Sequence, residues 1–306
     1  MKFSILITTY NRVNLLRRAV ESALGQTVPC EVIVVDNAST DDTRAYVESL
    51  GDRVVYHRNA TNTNHSGAVN AGASLATGDW IKLVDDDDYL ADTCIEAMTH
   101  AIAQRPQAVI CSCLAIQVDG QGNPLSRTPP RGPSELFYVP QAAIHYGMLI
   151  EQVPFGTPIQ VAVRRDAFLQ SGCWDLSMTS CDDIDSWVRV TEHGDALFLD
   201  RYLAYRTMWP GGYDQKIALL RRRDTNALIK QRIYDRISAA YRDRVPTLDA
   251  VNDYLSLHWG LVALKQRRLG AAYALGFPAV LSPAAWRLFR LARSRQTTLV
   301  PKIPLA

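Results

Sequence analysis

Trp80-Ile81-Lys82-Leu83-Val84-Asp85-Asp86-Asp87-Asp88 is a short apolar run that ends abruptly in four consecutive acids. Such a run reads as a buried parallel strand, and ligands of open α/β sheets bind just beyond the carboxyl ends of these strands. Four adjacent carboxylates repel one another unless they are solvated or share a cation, and hard oxygen ligands suit Mg²⁺ or Mn²⁺. A divalent ion held there would grip a diphosphate. The alternative is a solvated acidic turn that caps the following helix.

The pattern upstream is of the same kind. Residues 3–9 form a continuous apolar, β-branched run, and residues 14–24 then place Leu15, Leu16, Ala19, Val20 and Ala23 at helical spacing. Residues 31–36 are a second run ending in an acid, Asp36. Ser39 to Asp42 supply N-cap chemistry for a helix through residue 50, residues 54–57 read as a third strand, and residues 66–76 as a short helix. Beyond the acids, residues 93–104 read as an amphipathic helix and 108–118 as a strand, turned by Asp119-Gly120-Gln121-Gly122-Asn123-Pro124. Alternation of this kind implies an α/β, Rossmann-like, mostly parallel sheet flanked by helices. The first turn lacks Gly-x-Gly-x-x-Gly, which counts against an ordinary dinucleotide site. Thr8-Thr9-Tyr10-Asn11-Arg12 stands there instead, offering hydroxyls, an aromatic face and a cation.

The chain has 306 residues, 47% of them hydrophobic, enough to bury a large core in one large domain or two joined ones. A net charge of +2 gives no reason to expect nucleic acid as a partner. The opening apolar stretch turns polar at Thr8, too short for a signal peptide or a spanning helix, so the expectation is a cytoplasmic protein. Cys30, Cys94, Cys111, Cys113, Cys173 and Cys181 show no zinc spacing and read as buried free thiols.

Regularity fades over residues 123–158, where only short elements and a functional loop are expected. Residues 159–163 read as a strand and 165–170 as a helical turn. Asp182-Asp183-Ile184-Asp185-Ser186-Trp187-Val188-Arg189 then opens a helix that runs to Gly194; acids in a first turn are often only capping. Past Tyr213 the chain reads helical and basic, with helices at 219–223, 229–241, 255–269 and 286–295 punctuated by Pro246, Pro278 and Pro283. Residues 286–293 set apolar and Arg side chains on opposed faces, as in a helix lying on an anionic bilayer. Packing of that apolar face on the catalytic domain or on a second subunit is the alternative. His65 and His193 are alternatives to a carboxylate as base, but a lone His in a polar loop or at a helix end reads first as structural.

Taken together, these residues resemble family 2 glycosyltransferases of the GT-A fold, which move a sugar from a nucleotide-diphosphate donor with inversion. The resemblance covers residues 3–210. It rests on Ile7-Thr8-Thr9-Tyr10-Asn11-Arg12, Val34-Val35-Asp36-Asn37-Ala38-Ser39-Thr40-Asp41, Gly67-Ala68-Val69-Asn70-Ala71-Gly72, Leu83-Val84-Asp85-Asp86-Asp87-Asp88, and Asp182-Asp183 followed by Asp185, Trp187 and Arg189. It implies that Thr8, Tyr10 and Asp36 hold the nucleoside, Asp36 accepting hydrogen bonds from the base. Arg12 would lie near that pocket, with Asn70 and Asp86 also on the donor side. Asp85 would face the ribose and donor sugar, and Asp87 would bind Mn²⁺ or Mg²⁺ bridging the diphosphate. Asp183 would be the general base, with Trp187 and Arg189 bracing the helix.

The resemblance further implies a GT-A catalytic domain over residues 1–212, with a nucleotide-sugar half (1–118) and an acceptor half (119–212), and a helical C-terminal region (213–306). The expected activity is non-processive transfer, most readily from a UDP-sugar, to a hydroxyl of a glycan or lipid-linked acceptor in polysaccharide or glycoconjugate synthesis, at the inner face of the cell membrane. A nucleotidyltransferase is the alternative in the same fold, although residues 8–12 hold no glycine to cradle a triphosphate. A non-catalytic sugar-nucleotide-binding protein is another. The chain departs from the family pattern in having Asp-Asp for Glu-Asp at 182–183, Val69 in place of an Arg, and Trp209 near the place of a His. The absence of a Gln-x-x-Arg-Trp segment and of long apolar runs disfavours a processive polymerase.

Overall fold

β1 (Phe3–Thr9) is buried along its whole length and lies between β2 (Glu31–Asp36) and β4 (Trp80–Asp85), parallel to both. β3 (Val55–Arg58) extends the parallel set beyond β2. The chain leaves β1 in one direction and returns to its other side at β4, so strand order reverses between them, where such sheets open a ligand crevice. The computed structural model describes residues 1–210, 217–294 and 299–305. Tyr213 and Arg295, which bounded the helical expectations, lie outside the described residues.

By contacts the chain divides into two units. The first comprises Met1–Val139, Phe155–Trp209 and Lys302–Ala306. Its sheet continues through β6 (Ala108–Val118), β8 (Leu136–Val139), β9 (Val161–Arg164), β10 (Asp195–Thr207) and β11 (Ile303–Pro304), in the order β11-β8-β10-β6-β9-β4-β1-β2-β3. β5 (Tyr89–Leu90) and β7 (Pro124–Arg127) pair beside β10 and β6. The sheet is mixed: β6 and β10 are parallel, whereas β5, β7, β8, β9 and β11 join antiparallel. β10 has no counterpart in the sequence reading. Asp200 and Arg201 break its apolar run, and its register against β6 shifts between Leu199 and Tyr202, a bulge that admits both polar residues.

The helices explain what holds the crevice in place. α1 (Val13–Leu24) buries Leu16, Ala19, Val20 and Ala23, the stripe expected from its spacing, in one core with Phe3, Ile5, Val34 and Trp80. α2 (Thr43–Glu48) and α4 (Cys94–Gln104) also contribute to that core. α3 (Asn64–Leu75) lies against β1 and β2 through Gly72, where a Cβ would sit only 2.9 Å from Val35 Cγ2. That close approach seats the C-terminal half of α3 on the sheet, while its N-terminal turn reaches the carboxyl edge, where His65 meets Asp85. Lys82 is fully buried in β4, yet its ammonium donates to the carbonyls of Ile159 and Val161, so the charge is satisfied inside the sheet. All six cysteines are free, with Cys94, Cys111 and Cys113 buried and the others half-buried.

The second unit comprises Pro140–Pro154 and Pro210–Pro301. It takes in a helix from the stretch expected to be irregular, α5 (Gln141–Leu149). The others described are α8 (Leu219–Asp235), α9 (Leu248–Lys265), α10 (Leu269–Gly276) and α11 (Pro283–Arg293). The separate helices expected at 219–223 and 229–241 are one helix, α8, followed by a 3₁₀ turn, Ala239–Arg244. Buried Lys230 of α8 donates to the carbonyls of Met148 (2.7 Å) and Leu149 (2.9 Å) at the C-terminal end of α5, where partial negative charge collects. The apolar face of α11 is spent inside this unit: Trp286 and Phe289 pack with Leu257 and Leu261 of α9 and with Ala279. Among the described residues no helix is long and apolar enough to cross a membrane.

Candidate functional site

Register places the candidate residues along one edge. Thr8 lies opposite Asp85 and Thr9 opposite Asp36, so the carboxyl ends of β1, β2 and β4 are level. The loops leaving β1 and β2 are tied to each other: the Asn11 amide donates to Ser39 Oγ (2.9 Å), and the Thr40 amide donates to Asn11 Oδ1 (2.6 Å). Asn11 and Ala38 both have positive φ, 54° and 67°. For Ala38 this backbone costs about 1–2 kcal/mol, a strain of the kind that collects where a loop must hold a ligand.

Each acid after Val84 has its own partner. Asp85 Oδ1 meets His65 Nε2 at 2.9 Å. Asp86 accepts from Thr9 Oγ1 (2.8 Å), the Tyr10 amide (3.4 Å) and Arg12 Nη1 (3.2 Å). Asp87 Oδ2 accepts from Arg12 Nη1 (3.2 Å) and Trp209 Nε1 (2.9 Å), and Asp88 Oδ1 from the Thr207 amide (2.7 Å). Asp86 and Asp88 are buried, which rules out a merely solvated acidic turn. Burial pushes Asp86 up to about 6, with the charge of Asp87 adding to it against Arg12. Burial and then the charge of Asp85 also raise Asp87 and, much further, Asp88. Asp85 moves the other way: burial opposes its charge, but His65, Arg206 and Arg12 together outweigh burial and lower it. The patch as a whole is short of positive charge.

After the short α6 (Arg165–Gln170), α7 (Asp182–Val190) brings the second acidic cluster to the first. Cys181 enters the helix at φ 58°, and Ser66 Oγ of α3 donates to Asp182 Oδ2 at 2.7 Å. Burial, then the charge of Asp182, lift Asp183 to about 7; Asp85 adds to this and His65 works against it. The imidazole of His65 is held at about 9, because Asp85, Asp182 and Asp183 outweigh the burial that would lower it. It stands edge-on to Trp174, ring centroids 5.0 Å apart. His65 is therefore a cation joining the two acidic clusters at neutral pH. His193 lies in the 3₁₀ turn Thr191–His193, past the far end of α7 from the acids.

Other sequence candidates are placed less directly. Asp36 has no exposed surface; it accepts from the Ser39 amide (2.7 Å), Tyr56 Oη (2.9 Å) and Arg58 Nη1 (3.1 Å). Asn70 uses both ends of its amide on the backbone of Trp174, at 2.9 Å each. Thr8 is buried, while Tyr10 and Arg12 are exposed beside the acids. The sequence reading set His65 aside as structural, gave Arg206 no role and gave Trp209 only as a departure. Trp209 supplies the indole N–H that Asp87 accepts.

A family model for glycosyl transferase family 2 matches residues 4–171, more than half of the chain. The chain belongs to this family. A glucosyl-dolichyl phosphate glucuronosyltransferase of Haloferax volcanii is 29% identical over 185 residues, covering 58% of this chain and 57% of that one. The chain spans about half the length, or less, of the curated relatives it matches. Among solved structures, residues 1–349 of S. aureus TarS in complex with UDP-GlcNAc superpose with a TM-score of 0.63 at 18% identity, covering 95% of this chain and 79% of that one. The mannosyltransferase PcManGT of Pyrobaculum calidifontis, in complex with GDP-Man and Mn²⁺, gives 0.59 at 18% identity, with coverage of 95% and 83%. The fold is GT-A, a mixed sheet flanked by helices with further helices at the C-terminal end.

Proposed function

We propose that the chain is an inverting, non-processive glycosyltransferase that moves a sugar from a nucleotide-diphosphate donor, a UDP-sugar first, to a hydroxyl on a glycan or lipid-linked acceptor. The observation that carries this is the meeting of the two acidic clusters through His65: an acid patch short of positive charge lies within electrostatic reach of a carboxylate, Asp183, raised to about 7. Lipid-linked chemistry is supported by the glucosyl-dolichyl phosphate in the name of the Haloferax relative. The UDP-sugar and divalent-metal readings draw on the ligands of the two structural neighbours.

Whether this patch suits a metal follows from its donors. Among the described residues no three His, Cys, Asp or Glu side chains are gathered into a cage. Mg²⁺ and Mn²⁺ are commonly held by one or two carboxylates plus substrate phosphates, so Asp87 with a diphosphate is a sufficient donor set. When bound there, the ion would offset negative charge growing on the leaving diphosphate. Asp183 would take the proton of the acceptor hydroxyl as that oxygen attacks the anomeric carbon from the opposite face. Arg12, Arg206 and protonated His65 would offset part of the negative charge that the acids and the diphosphate bring together, leaving the remainder to the ion. Thr8, Tyr10, Asp86 and Arg12 would line the nucleotide side, and Asp85 would orient His65 toward the sugar. Asp36 and Asn70 would act from behind, Asp36 by fixing Tyr56 and Arg58, Asn70 by fixing the Trp174 loop.

The reading is tested by a panel of sugar nucleotides with Mn²⁺, followed by thermal shift and by release of nucleoside diphosphate. A donor present at 100 times its Kd is expected to add about 2.7 kcal/mol of stability. Stabilisation without nucleoside diphosphate release, even with acceptors supplied, would mark a binding protein instead. A further expectation concerns pH. The charge of His65 holds Asp183 down, so His65→Gln should move the acid limb of the rate profile to higher pH. An unmoved limb would mean that His65 does not act on the base.

A further inference from the structure

We infer that the second unit carries a docking surface for anionic phospholipid bilayers, formed by α10 and the turn after it. Residues 269–281, Leu-Gly-Ala-Ala-Tyr-Ala-Leu-Gly-Phe-Pro-Ala-Val-Leu, hold no charged side chain, and tyrosine supplies their one polar group. A helix that is apolar all round belongs inside a core or against lipid. Only one side of α10 is packed. Gly276 approaches Gly260 of α9 so closely that a Cβ on Gly260 would lie 2.7 Å from Gly276 Cα, and Leu275 is buried on the same side.

The opposite side is left in solvent. Leu269, Tyr273 and Phe277 recur every four residues and are 68%, 67% and 52% exposed, and Leu281 beyond them is 76% exposed. The rings of Tyr273 and Phe277 stack at 4.8 Å, forming one ridge. Beside it, Leu264, Tyr273, Phe277 and Val280 edge an apolar groove of about 180 Å³. Sparing a soluble helix this much exposed apolar surface is unusual unless something covers it.

Charge decides what covers it. Lys265, Arg267 and Arg268 precede the ridge, and Arg287, Arg290 and Arg293 follow it, all exposed. Residues 254–301 contain no Asp or Glu. An apolar ridge bounded at both sequence ends by cations, with no acid between, complements an anionic headgroup layer over hydrocarbon. This also relocates the membrane contact expected from sequence: the apolar face of α11 is packed on α9, whereas that of α10 is free.

The test is flotation of the full chain with phosphatidylcholine vesicles, with and without about one-third phosphatidylglycerol. Binding is expected to need phosphatidylglycerol and to weaken as salt rises. Phe277→Glu with Leu281→Glu, and separately Arg267→Glu with Arg268→Glu, should each lower the bound fraction at least about tenfold. Both pairs are exposed, so circular-dichroism melting should match the parent. The surface stands apart from the catalytic reading, and nucleoside diphosphate release in lipid-free solution should be unchanged in both. A parent that stays at the bottom of the gradient with both vesicles overturns the proposal, as do variants that float like the parent. A dimer of the parent that both vesicles fail to recruit, and that the Phe277/Leu281 change dissociates, would assign the ridge to a second copy and overturn it equally.

Discussion

An Asp183→Asn variant is expected to lose about 10²–10⁴ of its turnover while melting at a higher temperature than the parent. The loss follows from the proposed role: an amide cannot accept the acceptor's proton, although it fills the same space. The gain follows from linkage. Asp183 is raised from its ordinary value near 3.8 to about 7, chiefly by burial and the charge of Asp182. Between those two values the folded protein keeps a proton that the unfolded chain has released, so stability falls as pH rises through that window. At pH 8 the ionised carboxylate therefore costs stability, and Asn removes the cost. The same carboxylate predicts that kcat/KM of the parent falls as pH drops below about 7, because the base must be ionised to act. Donor binding, followed by thermal shift with nucleotide and Mn²⁺, should survive the substitution. An inactive variant that also melts lower would point to collapse of the α7 turn, and one with parental turnover would remove Asp183 from the chemistry. Groups held against their preferred protonation state are the expected mark of a working site.

What the sequence made legible tracks what its local rules can encode. β1, β2 and β4 are legible as short, largely apolar runs, and Asp36 and Asp85, the acids that close β2 and β4, stand at the carboxyl edge where those runs predicted them. α1 was readable down to its four buried residues because a stripe of Leu and Ala at helical spacing has one solution. β10 was hidden by Asp200 and Arg201, which a bulge accommodates; period-2 reading assumes no bulge. His65 was unreadable for a different reason. Nothing beside it in sequence is acidic; its partners Asp85, Asp182 and Asp183 reach it only through the packing of α3 and the entry of α7. Asp36 and Asn70 show the converse limit: motif position put them at the site, but hydrogen bonds to Tyr56, Arg58 and Trp174 are decided by neighbours far along the chain. Trp209 was noticed as a missing His, and only the fold shows that its N–H reaches Asp87.

Removing Arg189 should cost as much stability as truncating a buried core side chain, about 3–5 kcal/mol for Arg189→Ala. Its guanidinium meets Asp185 one turn earlier, Nε at 2.9 Å and Nη2 at 2.8 Å, and Asp185 has no exposed surface. The same guanidinium donates to the carbonyl of Ser171 and, at 2.7 Å, to that of Cys173. Those bonds hold a loop with two successive left-handed residues, Gly172 at φ 81° and Cys173 at φ 54°. The next residue, Trp174, is buried and forms T-shaped ring contacts with both Trp187 and His65. Losing Arg189 thus strips a buried carboxylate of its cation and frees a strained loop in one step. Because the cost comes from breaking the pair rather than from the worth of the pair, Arg189→Met combined with Asp185→Leu should recover much of it. Urea unfolding of the parent, the two single variants and the double variant measures the coupling directly. A cost below about 1 kcal/mol for Arg189→Ala would place the pair with ordinary surface bridges and leave the orientation of α7, and of Asp183 with it, to Trp187 and the Ser66–Asp182 hydrogen bond.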